Sequence, residues 1–100
     1  MMFTQITIIG MGHIGSSLAR GISQMGLCSR LIAVDADEDV CKAVDTLGLA
    51  DTSTTDAVEG VQGSDLVIIC IPAGAIGKLV ENIAPVLMPK AIVTDVSSVK

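Results

Sequence analysis

The chain is nearly without aromatic residues: one Phe, no Trp and no Tyr in 100 positions. Its core therefore has to be assembled from Ile, Val, Leu, Ala and Met. Basic residues are also few. The six (Arg20, Arg30, Lys42, Lys78, Lys90 and Lys100) are scattered and the net charge is −5, which excludes the clustered Lys/Arg footprint that a nucleic-acid backbone needs. Three cysteines (Cys28, Cys41, Cys70) with no C-x-x-C spacing, and a single histidine, exclude a disulfide framework and a metal-ligand set. The thiols read as small apolar residues in a reducing compartment. No long hydrophobic run is present either. The longest uncharged apolar stretch, Leu66 to Gly77, holds Pro72 and two glycines and is too short to span a bilayer. The N-terminus lacks the basic region of a signal peptide, its first Lys or Arg being Arg20. These absences point to a cytoplasmic protein with no membrane or nucleic-acid partner.

What is present is apolar and regularly spaced. Half of the residues are hydrophobic, and a single domain of this length buries about 65% of its unfolded surface. Ile6 to Ile9 is a β-branched run closed by Gly10. Ile14, Leu18, Ile22 and Met25 follow at helical spacing with Gly26 as the stop. Leu31 to Val34 is a second strand, closed by Asp35, and Val40, Val44 and Leu47 mark a second helix stopped by Gly48. The segment D-T-S-T-T-D (51–56) reads as a turn, and Asp56 with Glu59 forms a capping-box pattern for a short helix. Leu66 to Ile71 is the strongest strand, ended by Pro72. Ile76, Leu79, Val80 and Ile83 form a third helical stripe that Pro85 ends, and Ala91 to Thr94 is a further strand. Strands apolar on both sides, alternating with helices, predict a Rossmann-like, doubly wound α/β fold: a mostly parallel sheet with helices on both faces, in one domain over residues 1–100.

The segment G-M-G-H-I-G (10–15) carries the first chemical signal. Alone it is weak, because one residue in ten is glycine; following a strand and opening a helix in the first βαβ unit, it is a dinucleotide fingerprint. In that pattern Gly10 permits the tight turn, Gly12 admits a pyrophosphate to the backbone, and Gly15 allows close helix–strand packing. The helix N-terminus then holds the anion. Asp35, 20 residues beyond Gly15, is placed to accept from the adenosine ribose hydroxyls. A 2′-phosphate there would meet Asp35 and Asp37 with no adjacent Arg, so NAD is expected over NADP. Asp37 itself reads better as a helix cap. His13 faces the phosphates from a helix N-terminus that disfavours an imidazolium, so phosphate or solvent contact suits it better than catalysis. Ser16 and Ser17 leave phosphate contact and a plain helix start equally open. Pro72 and Ala73 form a small-residue loop after the strong strand, where it can run along the cofactor's ribose. Expected cofactor contacts are therefore Gly10, Gly12, His13, Ile14, Gly15, Asp35, Ile71 and Pro72, and no metal is expected.

Three blocks, I-T-I-I-G-M-G-H-I-G-S-S-L-A-R, D-L-V-I-I-C-I-P and I-A-P-V-L-M-P-K-A-I-V-T-D-V-S-S-V-K, together resemble the N-terminal nucleotide-binding domain of prephenate and arogenate dehydrogenases. The third block is the discriminating one, since the family shows an apolar strand, Asp, and then a Gly-Ser-Val-Lys-like segment. The resemblance implies oxidative decarboxylation of prephenate or arogenate with NAD(P), on the route to tyrosine. It matches Ser98 to the family's motif serine, associated with the substrate's ring hydroxyl, and puts Ser97 in place of the usual glycine, close to the nicotinamide. His13 and Ser16 also depart from the family's usual residues. The base histidine, the carboxylate-binding arginine and a helical dimerisation domain lie downstream in the family. The resemblance thus implies a homodimer for the full-length protein, with these 100 residues as a cofactor half that is inactive alone. Other readings are a β-hydroxyacid-type or pyrroline-carboxylate dehydrogenase, and a stand-alone NAD-sensing module.

Overall fold

A computed structural model describes residues 2–96. Five parallel strands form one sheet in the order β3-β2-β1-β4-β5. They are β1 (Phe3–Ile9), β2 (Cys28–Val34), β3 (Thr52–Thr54), β4 (Leu66–Ile69) and β5 (Ile92–Asp95). Helices α1 (His13–Met25) and α2 (Glu38–Leu47) pack on one face. On the other lie α3 (Ala57–Val61), α4 (Ala73–Ile83) and the short 3-10 turn Ala84–Val86. The chain steps outward from β1 to β3, then returns to β4 on the other side of β1. That reversal opens a crevice above the carboxyl ends of β1 and β4.

Strand periodicity divides the core into two layers. Ile6, Ile8, Leu31, Ala33 and Ile68 face α1 and α2, whereas Ile9, Ile32, Val34, Val67 and Ile69 face α3 and α4. Each fully buried side chain of this size contributes about 1.5–3 kcal/mol. Thr7 interrupts the second layer, fully buried, and its partners explain why it is tolerated. Its hydroxyl donates to the Gly60 carbonyl at 2.7 Å, and the Ser64 hydroxyl donates to Thr7 while accepting from Gln5 Nε2 at 2.8 Å. The network ties α3 to β1 and leaves neither buried hydroxyl without a partner.

The doubly wound architecture and the helix stops agree with the expectations. Gly26 and Gly48 end α1 and α2 in the left-handed conformation, with φ of 63° and 66°. Four details differ. The segment 51–56 contains a strand: Thr52–Thr54 pairs in parallel with β2, and Asp35 N–H donates to the Thr54 carbonyl. Its β-branched threonines suit an edge strand, although its polarity reads as a turn. The buried face of α1 is Gly15, Ala19 and Ile22, whereas Ile14 is 50% and Met25 72% exposed. Small residues let the helix lie close to β1, and this rotates the larger ones outward. The capping box at α3 is half formed. Asp56 accepts from the Val58 and Glu59 N–H groups, but its own N–H donates to Thr54 Oγ1 instead of to Glu59. Lastly, all four residues of β5 are exposed, unlike those of the other edge strand, β3, which are half-buried.

Candidate functional site

The glycine turn sits at the head of the crevice, and its three glycines are there for different reasons. Gly10 has φ +96°, and a Cβ on it would stand 2.7 Å from the Cys70 carbonyl oxygen, so conformation and space both demand glycine. A Cβ on Gly15 would run into the Gly10 carbonyl oxygen. That fixes how closely α1 lies on the turn. Gly12 differs from both. Its φ is −71°, open to any residue, and among the described residues, its own chain neighbours aside, nothing lies within 4 Å of where a Cβ would be. Nothing in the fold requires a glycine at this point, and its bare backbone faces open space.

Gly12 is also the N-cap of α1, and no side chain caps the helix there among the described residues. The first turn carries no acidic residue. Helices α2 and α3 start differently: Asp37 caps the first by accepting from Asp39 N–H at 2.8 Å, and Asp56 caps the second. Acidic residues follow in both first turns. The N–H groups and positive dipole end of α1 are thus presented to an external anion, whereas those of α2 and α3 are satisfied internally. Ser16 does not compete for such an anion, since its hydroxyl donates to the Met11 carbonyl at 3.1 Å. Ser17 and His13 are exposed and, with Arg20, line a shallow depression beside Gly12.

Asp35 stands at the carboxyl end of β2, half-buried. Its Oδ2 accepts from Met11 N–H at 2.8 Å and its Oδ1 from Asp37 N–H at 3.0 Å. Each oxygen keeps a further lone pair for a ligand hydroxyl. Ile71 packs against the turn, its Cγ2 being 3.0 Å from a Cβ built on Gly10. Pro72 is the N-cap of α4, exposed at the rim, and Ile14 presents an exposed apolar side chain on the first turn of α1. The structure therefore places Gly10, Gly12, His13, Ile14, Gly15, Asp35, Ile71 and Pro72 at the carboxyl end of the sheet, with Ile14 also lining, beside His13 and Leu18, a depression along α1. Ser97 and Ser98 lie outside the described residues.

Sequence reading passed over Met11. It occupies a variable position of the fingerprint, and the group that matters is its backbone N–H, which no residue-type signal reveals. Its side chain is 5% exposed and belongs to the core. The cysteines behave as small apolar residues. Burial pushes the Cys70 thiol up, and burial with the nearby Asp51 and Asp65 charges does the same for Cys28, so neither is an activated nucleophile. A larger cavity, about 720 Å³ and lined by Phe3, Asp65, Met88, Lys90 and Ile92, lies at the amino end of the strands. Open α/β sheets bind ligands at the opposite end, where the glycine turn lies, so size does not decide the site. No described helix is long and apolar enough to cross a membrane.

Comparison with known proteins identifies the family. Residues 18–100 match the family described as prephenate dehydrogenase, nucleotide-binding domain. A cyclohexadienyl dehydrogenase from Zymomonas mobilis is 36% identical over 99 residues, covering 99% of this chain and 34% of that protein. The solved arogenate dehydrogenase of Synechocystis is 34% identical with a TM-score of 0.87, covering 97% of this chain and 34% of that one. A prephenate dehydrogenase from A. aeolicus, solved with hydroxyphenyl propionate and NAD+, shares the fold at 22% identity and a TM-score of 0.84, over 92% of this chain and 32% of that one. The chain spans about a third of the length of these relatives.

Proposed function

The chain belongs to the family of prephenate dehydrogenase nucleotide-binding domains, and from that premise we propose that it binds NAD above β1, β2 and β4 and serves as the cofactor half of a prephenate or arogenate dehydrogenase. The observation that carries this reading is the contrast among the fingerprint glycines. Gly10 and Gly15 are filled in by the chain itself, whereas Gly12 and the uncapped start of α1 face open space. A diphosphate fits there, held by the helix N-terminus with no Cβ in its way. Asp35 accepts from the adenosine ribose hydroxyls, and Ile14, Ile71 and Pro72 form the apolar and rim contacts of the crevice. Ser97 and Ser98 are assigned, by the family motif, to the nicotinamide end and the substrate hydroxyl.

Bound NAD would supply a hydride acceptor. The chain's own contribution is to hold that acceptor against the sheet and to orient the substrate hydroxyl through Ser98. A serine is too weak an acid–base group to take the hydroxyl proton by itself. The family resemblance puts the base histidine downstream of the Ser-Val-Lys segment, so we assign the proton acceptor to that histidine of the full-length protein and not to His13.

The segment after β2 supports NAD over NADP. A 2′-phosphate at Asp35 would meet that carboxylate and the nearby Asp37, with no Arg immediately after Asp35 to neutralise it. Titration calorimetry with both dinucleotides tests this. NAD is expected to bind at least about tenfold more tightly, equivalent to about 1.4 kcal/mol. Equal or tighter NADP binding would overturn it.

A further inference from the structure

We infer that Asp35 is also a positioning residue for the glycine turn, so that sugar recognition and diphosphate binding depend on one carboxylate. The inference rests on the dinucleotide reading above and deepens it. Two consecutive N–H groups of the turn reach across to the end of β2. Gly10 N–H donates to the Val34 carbonyl at 2.7 Å and Met11 N–H to Asp35 Oδ2 at 2.8 Å. The first is a strand-like bond that any residue at position 34 can make. The second needs a side chain, and an anionic acceptor makes it a charge-assisted bond, stronger than a neutral one. Asp37 N–H holds the other oxygen, so the carboxylate is fixed from both sides before any ligand arrives.

Met11 stands between Gly10, which takes a positive φ, and Gly12, whose backbone faces open space. Its side chain is anchored in the core and its N–H is anchored by Asp35. Gly12 is therefore set in place by its neighbour on both counts. Replacing Asp35 by a small neutral residue, the obvious route to admitting a 2′-phosphate, would release the turn that the diphosphate requires. A change of cofactor preference at this one position is thus expected to weaken every dinucleotide.

The molecule contains a matched control. Midway along the same strand, Asp51 Oδ2 accepts from Leu31 N–H at 2.7 Å, a carboxylate–backbone bond of the same kind away from the glycine turn. The test compares wild type, Asp35→Ser and Asp51→Ser for binding of ADP and of 2′,3′-dideoxy-ADP, which has the diphosphate and lacks the ribose hydroxyls. Amide exchange at Met11 is followed in the same three proteins. Asp35→Ser is expected to weaken dideoxy-ADP by about fivefold, a charge-assisted bond partly replaced by water, and to speed Met11 exchange. Asp51→Ser is expected to leave dideoxy-ADP within about twofold, as distant sites act independently, and Met11 exchange unchanged. Asp35→Asn keeps the shape but satisfies only one of the two N–H groups, and should show the same pattern at smaller size. Loss of ADP affinity in Asp35→Ser with dideoxy-ADP and Met11 exchange unchanged would make Asp35 a ribose ligand only and overturn the inference. Wild type that binds neither nucleotide would overturn the dinucleotide reading itself, and this inference with it.

Discussion

Helices α1 and α2 lie on the same face of one sheet and begin at the same end of it, yet their first turns are opposite in character. α2 carries its own anion: Asp37 caps it and Glu38 and Asp39 follow. α1 starts at a bare glycine with no cap and no acid. Both are ordinary amphipathic helices with a buried face and a left-handed glycine at the C-terminus. Packing therefore does not explain the difference. A helix that satisfies its own N-terminus is finished by folding, whereas one that leaves it exposed at a crevice head is suited to complete itself with a ligand.

The comparison can be broken at the glycines and at the cap. Gly15→Ala should have the largest effect. Its methyl meets a backbone oxygen, so α1 must shift from β1, and a loss of about 3 kcal/mol is expected from overpacking against an atom that cannot move aside. Urea denaturation reads this as a lower midpoint at constant slope. Stability unchanged within about 0.5 kcal/mol would mean that the turn is looser than described. Asp37→Ala should come next. Removing the α2 cap is expected to cost about 1 kcal/mol by the same method and to leave NAD affinity as it was. A fall in NAD affinity would instead make Asp37 part of the site.

Much of this was legible in the residues, and the exceptions share a physical cause. Strand and helix alternation, the glycine stops and the fingerprint followed from period and residue type. Asp37 as a cap followed from its place in the turn after the second strand, close to the expected start of the next helix. The orientation of α1 did not. Gly15 and Ala19 bury a helix face by their smallness, and a hydrophobic stripe drawn through Ile14 and Met25 points the wrong way when close approach governs packing. Strand β3 was hidden because three polar residues pair through backbone groups alone, and the anchoring of Met11 was hidden for the same reason. What backbone N–H groups do is decided by tertiary contact, to which residue type is silent. The role of Ser98 came by resemblance to the family, and it stays a proposal for the full-length protein.

The central claim is that Gly12 is glycine for a ligand and not for the fold. Gly12→Ala, followed in parallel by urea denaturation and by NAD titration, tests it most directly. An N-cap Gly-to-Ala change at φ −71° is expected to alter stability by no more than about 0.5 kcal/mol. The same methyl, standing where the diphosphate approaches, should weaken NAD by at least about tenfold. Equal NAD affinity in the two proteins, or a loss of affinity matched by a loss of stability, would contradict the account.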